Sequence, residues 1–381
     1  MATTVDPKVA ASAPVSAGGG KSAAAVRLYS LDAFRGMTMI WMFSSAFGLH
    51  HIKDESVLGV PLAGLERQFT HADWHGMYAW DMIQPFFMFI VGVAMPFSFG
   101  NRRGQGAGRG SELLQVLRRC ALLLLLGTMA RSISAGKPVL DVINVLGQLS
   151  VTYLLAYLVL DRGWKVQFGA AIALLALHWG FYNFVTAPEI TGPYDKNANP
   201  GWWLDGVLLG KHWGGGYATI NCISSAANTI FGVMAGFWLK EARPAGETIR
   251  KLLLAAVAAV ALGLLLSPVI PINKKIWTAS FTFVSTGITL ATLAGFYWLC
   301  DVKQWRGWAR PMAIVGMNSI FIYLFHEMLY RWLRAAGQVF TGWAVQWWGN
   351  NWGLAFNECV VVAFQIYVCY WLYKHRVFVK V

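Results

Sequence analysis

The residues best suited to chemistry cluster in FTHADWHG, which carries His71, Asp73 and His75, with Asp81 following in WDMIQPFF. A neutral imidazole can attack an acyl carbon, or take a proton from an attacking amine or hydroxyl, near neutral pH. Asp81 can orient that ring or contact a substrate, or equally cap a helix start or sit at the interface. His-x-Asp-x-His also offers metal donors, but this spacing alone defines no metal site, and none is expected. Asp32 and Arg35 lie three apart in SLDAFRG, so they share a helix face and can pair. They form either an interfacial ion pair or one wall of a water-filled substrate cavity. Asn273, Lys274 and Lys275 stand together in PINKKIWTASF. Lysines at a membrane edge ordinarily reach out to water. GMNSIFIYLFHE carries Asn318, His326 and Glu327. Asn318 and His326 share a face, where such groups more often bond helix to helix than catalyse. Glu327 either ends its segment or pairs with Arg331, four residues on.

Composition dictates the elements that must position these groups. Of 381 residues, 56% are hydrophobic and 13% charged, against about 25% charged in a soluble domain. This excludes a disordered chain, a secreted disulfide scaffold and an ordinary soluble enzyme. It predicts an all-α polytopic integral membrane protein. Runs of roughly 20 apolar residues occur near 31–50, 79–99, 112–132, 142–160, 166–185, 219–239, 251–268, 276–299, 311–333 and 353–373. Ten spans are expected, and an eleventh is possible because the Trp-rich stretch 334–352 could also form an interfacial helix. Pro85 is expected to kink the second span. Residues 1–26, rich in Ala, Ser and Gly, are read as a disordered cytoplasmic tail. Residues 27–381 are read as a single transmembrane domain.

The net charge of +13 would suggest nucleic acid in a soluble protein. Here it reads as a topology signal. Alternating the loops from a cytoplasmic N-terminus puts twenty of the 31 Lys and Arg in inner segments and ten in outer ones, with Arg35 inside a span. That bias supports two cytoplasmic termini. The five cysteines are scattered and define neither a disulfide framework nor a metal set. GQGAGRG lacks the lysine and strand of a phosphate loop, so it reads as a linker. The outer loops, near 51–78 and 186–218, hold His51, Trp202, Trp203 and Trp213. Those tryptophans serve as an interfacial belt or stack on sugar rings.

SLDAFRG, FTHADWHGMYAWDMIQPFFMFIVGVAMPFS, PINKKIWTASF and GMNSIFIYLFHE occur in this order. Together they resemble the heparan-α-glucosaminide N-acetyltransferase family and its bacterial relatives, from about residue 28 onward. The resemblance implies a multi-span membrane acetyltransferase that takes acetyl from cytosolic acetyl-CoA, its co-substrate, and passes it to a carbohydrate at the outer face. It assigns His71 the catalytic role, as acetyl carrier or general base; Asp81, taken as a second catalytic residue, or Asp73 is expected to orient it. Asp32, Arg35, Asp73, His75, Lys274, Asn318, His326 and Glu327 are the expected substrate-binding groups. The chain departs from the family after the first span, where MFSSAFGLHHI has Ser44 and Ser45 and no functional asparagine. An amino sugar or envelope glycan is therefore expected as acceptor rather than heparan itself. The expected location is a bacterial inner membrane. The expected partners are the bilayer and the carbohydrate acceptor, with a homodimer open and no nucleic acid. A transporter of a small solute or lipid-linked sugar is the alternative, since intramembrane charges and a Pro-interrupted helix fit it too.

Overall fold

The computed structural model describes residues 28–57, 60–104, 108–140 and 142–379. The tail expected over 1–26 lies outside them. Long apolar runs can satisfy every backbone group within lipid only as helices or closed barrels. The described residues are helical almost throughout. They form α1 (Tyr29–Phe43), α2 (Ala63–Arg67), α3 (Ile83–Gly104), α4 (Arg109–Ala135), α5 (Val145–Val159), α6 (Trp164–Phe184), α7 (Pro200–Leu209), α8 (Asn221–Lys240), α9 (Ala245–Leu266), α10 (Ala279–Phe296), α11 (Arg310–Met317) and α12 (Ser319–Lys374). The one sheet among the described residues pairs Ser56–Val57 with Val60–Pro61.

Each of the ten expected stretches is mainly helical. Among the described residues, six segments are long and apolar enough to cross a membrane: Ala79–Gly100, Arg109–Ala135, Asn221–Lys240, Ala245–Leu266, Ala279–Val302 and Ser319–Lys374. The last contains the expected span 353–373, most of the span 311–333, whose start forms α11 and is divided off at Asn318, and the Trp-rich stretch between them. It breaks at Gly349, whose φ of 78° and ψ of 168° belong to a region open essentially to glycine alone. The two arms then run back along each other. Tyr330 bonds Glu358, and Thr341 bonds Asn357. Residues 334–352 thus extend the arms of this hairpin instead of forming a separate element.

Pro85 follows closely on the 3-10 turn of Ala79–Met82. It stands in the first turn of α3, where a helix tolerates proline best. The proline inside the helix is Pro96, whose carbonyl accepts a bond from Lys240 Nζ at 3.0 Å.

The core is built around α3 and α8. A Cβ at Gly92 would lie 2.0 Å from the Thr229 carbonyl oxygen, and one at Gly232 would lie 2.2 Å from that of Phe89. The two backbones therefore touch, as small residues permit in membrane helix pairs. Phe89, Ile90 and Met88 on α3 are completely buried. Gln84 and Gln148 satisfy each other inside at 2.9 Å. By contrast, α4, α6 and α9 expose Leu125, Leu177 and Leu254. Those outward apolar faces suit hydrocarbon rather than water.

Candidate active site

The loop FTHADWHGMY folds back onto the start of α3 because Asp81 gathers its backbone. Asp81 Oδ2 accepts bonds from the N–H groups of Tyr78 at 2.9 Å and Ala72 at 3.2 Å. Its Oδ1 lies 2.7 Å from His71 Nδ1. An ionised carboxylate only accepts, so the Nδ1–H tautomer donates to Asp81. That leaves the lone pair on Nε2. The Asp81 side chain is buried, whereas the His71 side chain is 40% exposed. The ring is thus anchored at Nδ1 while part of the side chain stays exposed.

A second loop, 267–278, completes the group from more than 200 residues away. Gly76 N–H donates to Ile272 O at 2.7 Å, and Gly76 bridges to Asn273 in parallel register. Gly76 has a φ of +93°, a conformation that glycine reaches without steric cost. Asn273 Oδ1 accepts from the N–H groups of Lys275 and Ile276, closing a tight turn. The turn aims Lys274 inward. Lys274 Nζ lies 3.2 Å from His71 Nδ1, 3.5 Å from Nε2 and 3.7 Å from Asp81 Oδ1. Lys275 points the other way, donating to the Asp73 carbonyl at 2.8 Å. The turn is pinned below by Asn221, which donates to Lys275 O, and by buried Trp277, whose indole donates to Asn228 Oδ1 at 2.9 Å.

This setting shifts the titrating groups outside the spans. Partial burial lowers the His71 pKa; the Asp81 hydrogen bond opposes this, and the Lys274 cation reinforces it. Burial pulls Lys274 down to about 8, against the attraction of Asp81. Tyr217, whose ring centroid is 6.0 Å from Lys274 Nζ, is pushed up to about 12 by burial, with Asp81 adding to the rise. At neutral pH the group therefore presents a neutral imidazole between a carboxylate and a buried ammonium. That combination can hold a tautomer, accept a proton or attack an acyl carbon, and stabilise a developing oxyanion.

The structure brings together His71, Asp81 and Lys274 from the expected residues. Asp73 and His75 are exposed on the same loop, where Asp73 contributes its carbonyl and His75 stands with its ring 6.2 Å from that of Trp74. Asp32 and Arg35 pair with each other at 3.6 Å. They lie on the N-terminal part of α1, the end tied to Asp301 through Tyr29 and Ser30. Asn318 is buried and clamps the C-terminal segment, donating to Val377 O and accepting from Val379 N–H. His326 contacts Gln365 Oε1 through Nδ1 at 3.1 Å. Glu327 lines a separate cavity of about 250 Å³ with Ile133, Ser134, Tyr330 and Arg331.

Asn221, Tyr217 and Trp74 were not legible as site residues. Trp74 anchors the His71 loop by donating to Tyr194 O at 2.7 Å, so the loop 186–218 holds the site through its backbone. Two of the expected sugar-stacking tryptophans are engaged locally. Trp202 stacks on His212 at 3.5 Å, and Trp213 donates to Thr219 Oγ1 while Lys211 covers its ring.

A second polar group joins the α12 hairpin to the end of α1. Arg334 Nε lies 2.8 Å from Glu358 Oε1, and Tyr330 donates to the same carboxylate. Arg334 also lies 3.2 Å from His51 Nε2. Burial, His50 and Arg334 together lower His51 to about 4. Among the described residues, His50, His51 and Glu358 are the one set of three donors close enough to share a metal ion. The Arg334 guanidinium already supplies the positive charge there. The chain reaches this group through Ser45, Ala46 and Phe47, all at positive φ.

Residues 27–198 match the family described as "Heparan-alpha-glucosaminide N-acetyltransferase, catalytic". That segment contains His71 and Asp81 but not Lys274. The proteins named heparan-alpha-glucosaminide N-acetyltransferase from Mus musculus and Homo sapiens are each 23% identical to the chain, over 95% and 94% of its length. The aligned region is 61% of each of those proteins, so the chain spans about three fifths of the length of the curated relatives it matches.

Proposed function

We propose that this chain, which belongs to the heparan-α-glucosaminide N-acetyltransferase family, is a membrane acetyltransferase that moves an acetyl group from acetyl-CoA to a carbohydrate. The observation that carries this reading is the 2.7 Å contact between His71 Nδ1 and Asp81 Oδ1 beneath an accessible imidazole edge. Asp81 holds the tautomer in which Nε2 has its lone pair free.

Two routes use that lone pair. As a base, Nε2 takes the proton from the acceptor amine or hydroxyl while that atom attacks the thioester carbonyl. The C–S bond breaks and the CoA thiolate leaves. As a carrier, Nε2 itself forms the bond to the acetyl carbon and the thiolate leaves, giving an acetylimidazolium that keeps Nδ1–H on Asp81; the acceptor then attacks the acetyl carbon, the C–Nε2 bond breaks, and the acceptor's proton passes to solvent as neutral His71 is regenerated. In both routes the carbonyl oxygen gains negative charge. Lys274 Nζ, 3.5 Å from Nε2, supplies a cation for that charge. The carrier route suits the sidedness read from charge bias, with acetyl-CoA at the cytosolic face and the acceptor at the outer face.

Purified protein in vesicles, given labelled acetyl-CoA and a panel of amino sugars and glycans, tests the reading. Transfer by the native chain should fall by on the order of 10³-fold or more in His71→Ala. Undiminished transfer in that variant would remove His71 from the chemistry. Mass spectrometry after a brief exposure to acetyl-CoA alone separates the routes, because only the carrier retains acetyl on His71. Solute uptake into the vesicles without any acetyl transfer would support the transporter alternative.

A further inference from the structure

The end of the bundle remote from His71 holds a cavity of about 720 Å³. α8 connects the two ends. Its first residue, Asn221, bonds the catalytic-side turn, and Phe237 and Trp238 near its last turn line the cavity. Twenty helical residues separate the ends by about 30 Å. The opposite wall comes from Trp164 and Gln167 at the start of α6, and Lys251 of α9 closes one side. Gln167 is held by its own bonds to the carbonyls of Val159 and Leu160, so the floor is fixed.

The lining is basic in effect. Arg162, Arg243 and Lys251 face two carboxylates, Asp161 and Glu241. Asp161 is already bonded by Arg103, and Glu241 by Arg243 and Lys251. Among the described residues, no carboxylate lies within ion-pairing distance of Arg162. Lys251 Nζ rests 4.6 Å from the Trp238 ring centroid, and Lys165 Nζ lies 5.9 Å from that of Trp164.

Immediately beside this charged rim, α6 exposes Val166 and Phe168, while α9 exposes Leu253, Leu254 and Val257. The cavity therefore lies where a hydrocarbon-facing surface meets a basic, aromatic edge, as at a membrane interface. An occupant that satisfies both parts is anionic at one end and apolar at the other. A soluble phosphate would use only the first part.

We propose that this cavity binds the phosphate headgroup of an anionic membrane lipid, with its acyl chains on the adjoining faces of α6 and α9. Arg162 and Lys251 would pair with the phosphate, and Trp164 and Trp238 would flank the glycerol region. Basic clefts between membrane helices are suited to such headgroups.

Native mass spectrometry of the full chain in detergent, titrated with phosphatidylglycerol or phosphatidylcholine, tests this. Phosphatidylglycerol should be retained preferentially. Arg162→Gln with Lys251→Gln should weaken its retention by at least about tenfold, while Lys374→Gln, an exposed cation on another helix, should leave it unchanged. Arg162→Gln alone, in an exposed turn, provides a variant that tests binding if the double variant does not fold; it should weaken retention severalfold. Equal retention of the two lipids, or unchanged phosphatidylglycerol binding in the cavity variants, would overturn the proposal. Displacement of the lipid by inorganic phosphate or coenzyme A at equal molar concentration would also overturn it, showing a site for soluble phosphate.

Discussion

Two buried ionic groups in this molecule use similar residues to opposite ends. Around His71, a histidine meets a carboxylate and a lysine; in the α12 hairpin, His51 meets Glu358 and Arg334. The second group closes on itself. The Glu358 carboxylate is bonded by Arg334 and Tyr330, and the guanidinium also contacts His51. The first group is left open on one side. Asp81 is saturated by two backbone N–H groups and the His71 ring, but the far edge of that ring reaches solvent. Charge and burial alone therefore do not distinguish a reactive group from a structural clamp. On the proposed reading, the distinction is that the anchored His71 side chain stays 40% exposed and keeps an atom able to react.

The largest effect should come from removing that atom. His71→Ala should abolish transfer while leaving thermal stability nearly unchanged. His326→Ala, which removes a histidine bonded within the hairpin, should lower the melting temperature and leave kcat within a few fold. A comparable loss of kcat in both variants would erase the distinction. Asp81→Asn comes next: the amide can present its N–H to Nδ1 and favour the wrong tautomer. A fall in kcat on the order of 10³-fold, with little change in KM, is expected in steady-state kinetics.

Arg334→Leu should act on stability instead. It leaves the Glu358 carboxylate buried without its cation, a change worth about 3–5 kcal/mol. Thermal unfolding should register this loss, and the residual folded fraction should retain normal kcat. The smallest effect, and the most discriminating, is on pH dependence. His71 must be neutral to act, and its pKa lies below the usual 6.5. Activity should fall as pH drops through that lowered value, while His51 stays neutral until about pH 4. Lys274→Met removes a cation that disfavours protonation of His71. The acid limb of the pH–rate profile should therefore move to higher pH, with a rate loss of about tenfold at the optimum. An unmoved limb would show that Lys274 does not govern His71.

Linkage follows the same signs. Because folding lowers the pKa of His71, the unfolded chain binds more protons around pH 6. The associated stability is present above about pH 6.5 and is lost as pH falls through the lowered folded value. Lys274, lowered to about 8, imposes a cost at neutral pH that is relieved as pH rises from about 8 toward the free-lysine value.

The apolar stretches and the histidine–carboxylate pair were legible in the sequence because both are local signals. Helical hydropathy is written within twenty residues, and His71 and Asp81 are only ten apart. Lys274 was legible as a residue of interest, but at a membrane edge it reads equally well as a lysine reaching for water. Asn221, Tyr217 and Trp74 had no signal of their own, since a buried polar side chain looks the same in sequence whether it supports a site or a helix contact. Asp32, Asn318 and His326 show the converse. Their intramembrane polarity marked them, yet the fold gives Asn318 and His326 bonds to the C-terminal segment and to Gln365, and pairs Asp32 with Arg35.

By itself the sequence determined the apolar setting of this protein and its helical class, and singled out the polar cluster around His71 as the candidate for chemistry, because each follows from residue type and short spacing. Tertiary structure alone decided that Asn273 would turn Lys274 toward His71, that Asn318 would become a clamp, and that the Trp-rich stretch would lengthen a hairpin. Those outcomes depend on which distant backbone carbonyl or carboxylate comes within 3 Å, and chain order does not encode that distance directly.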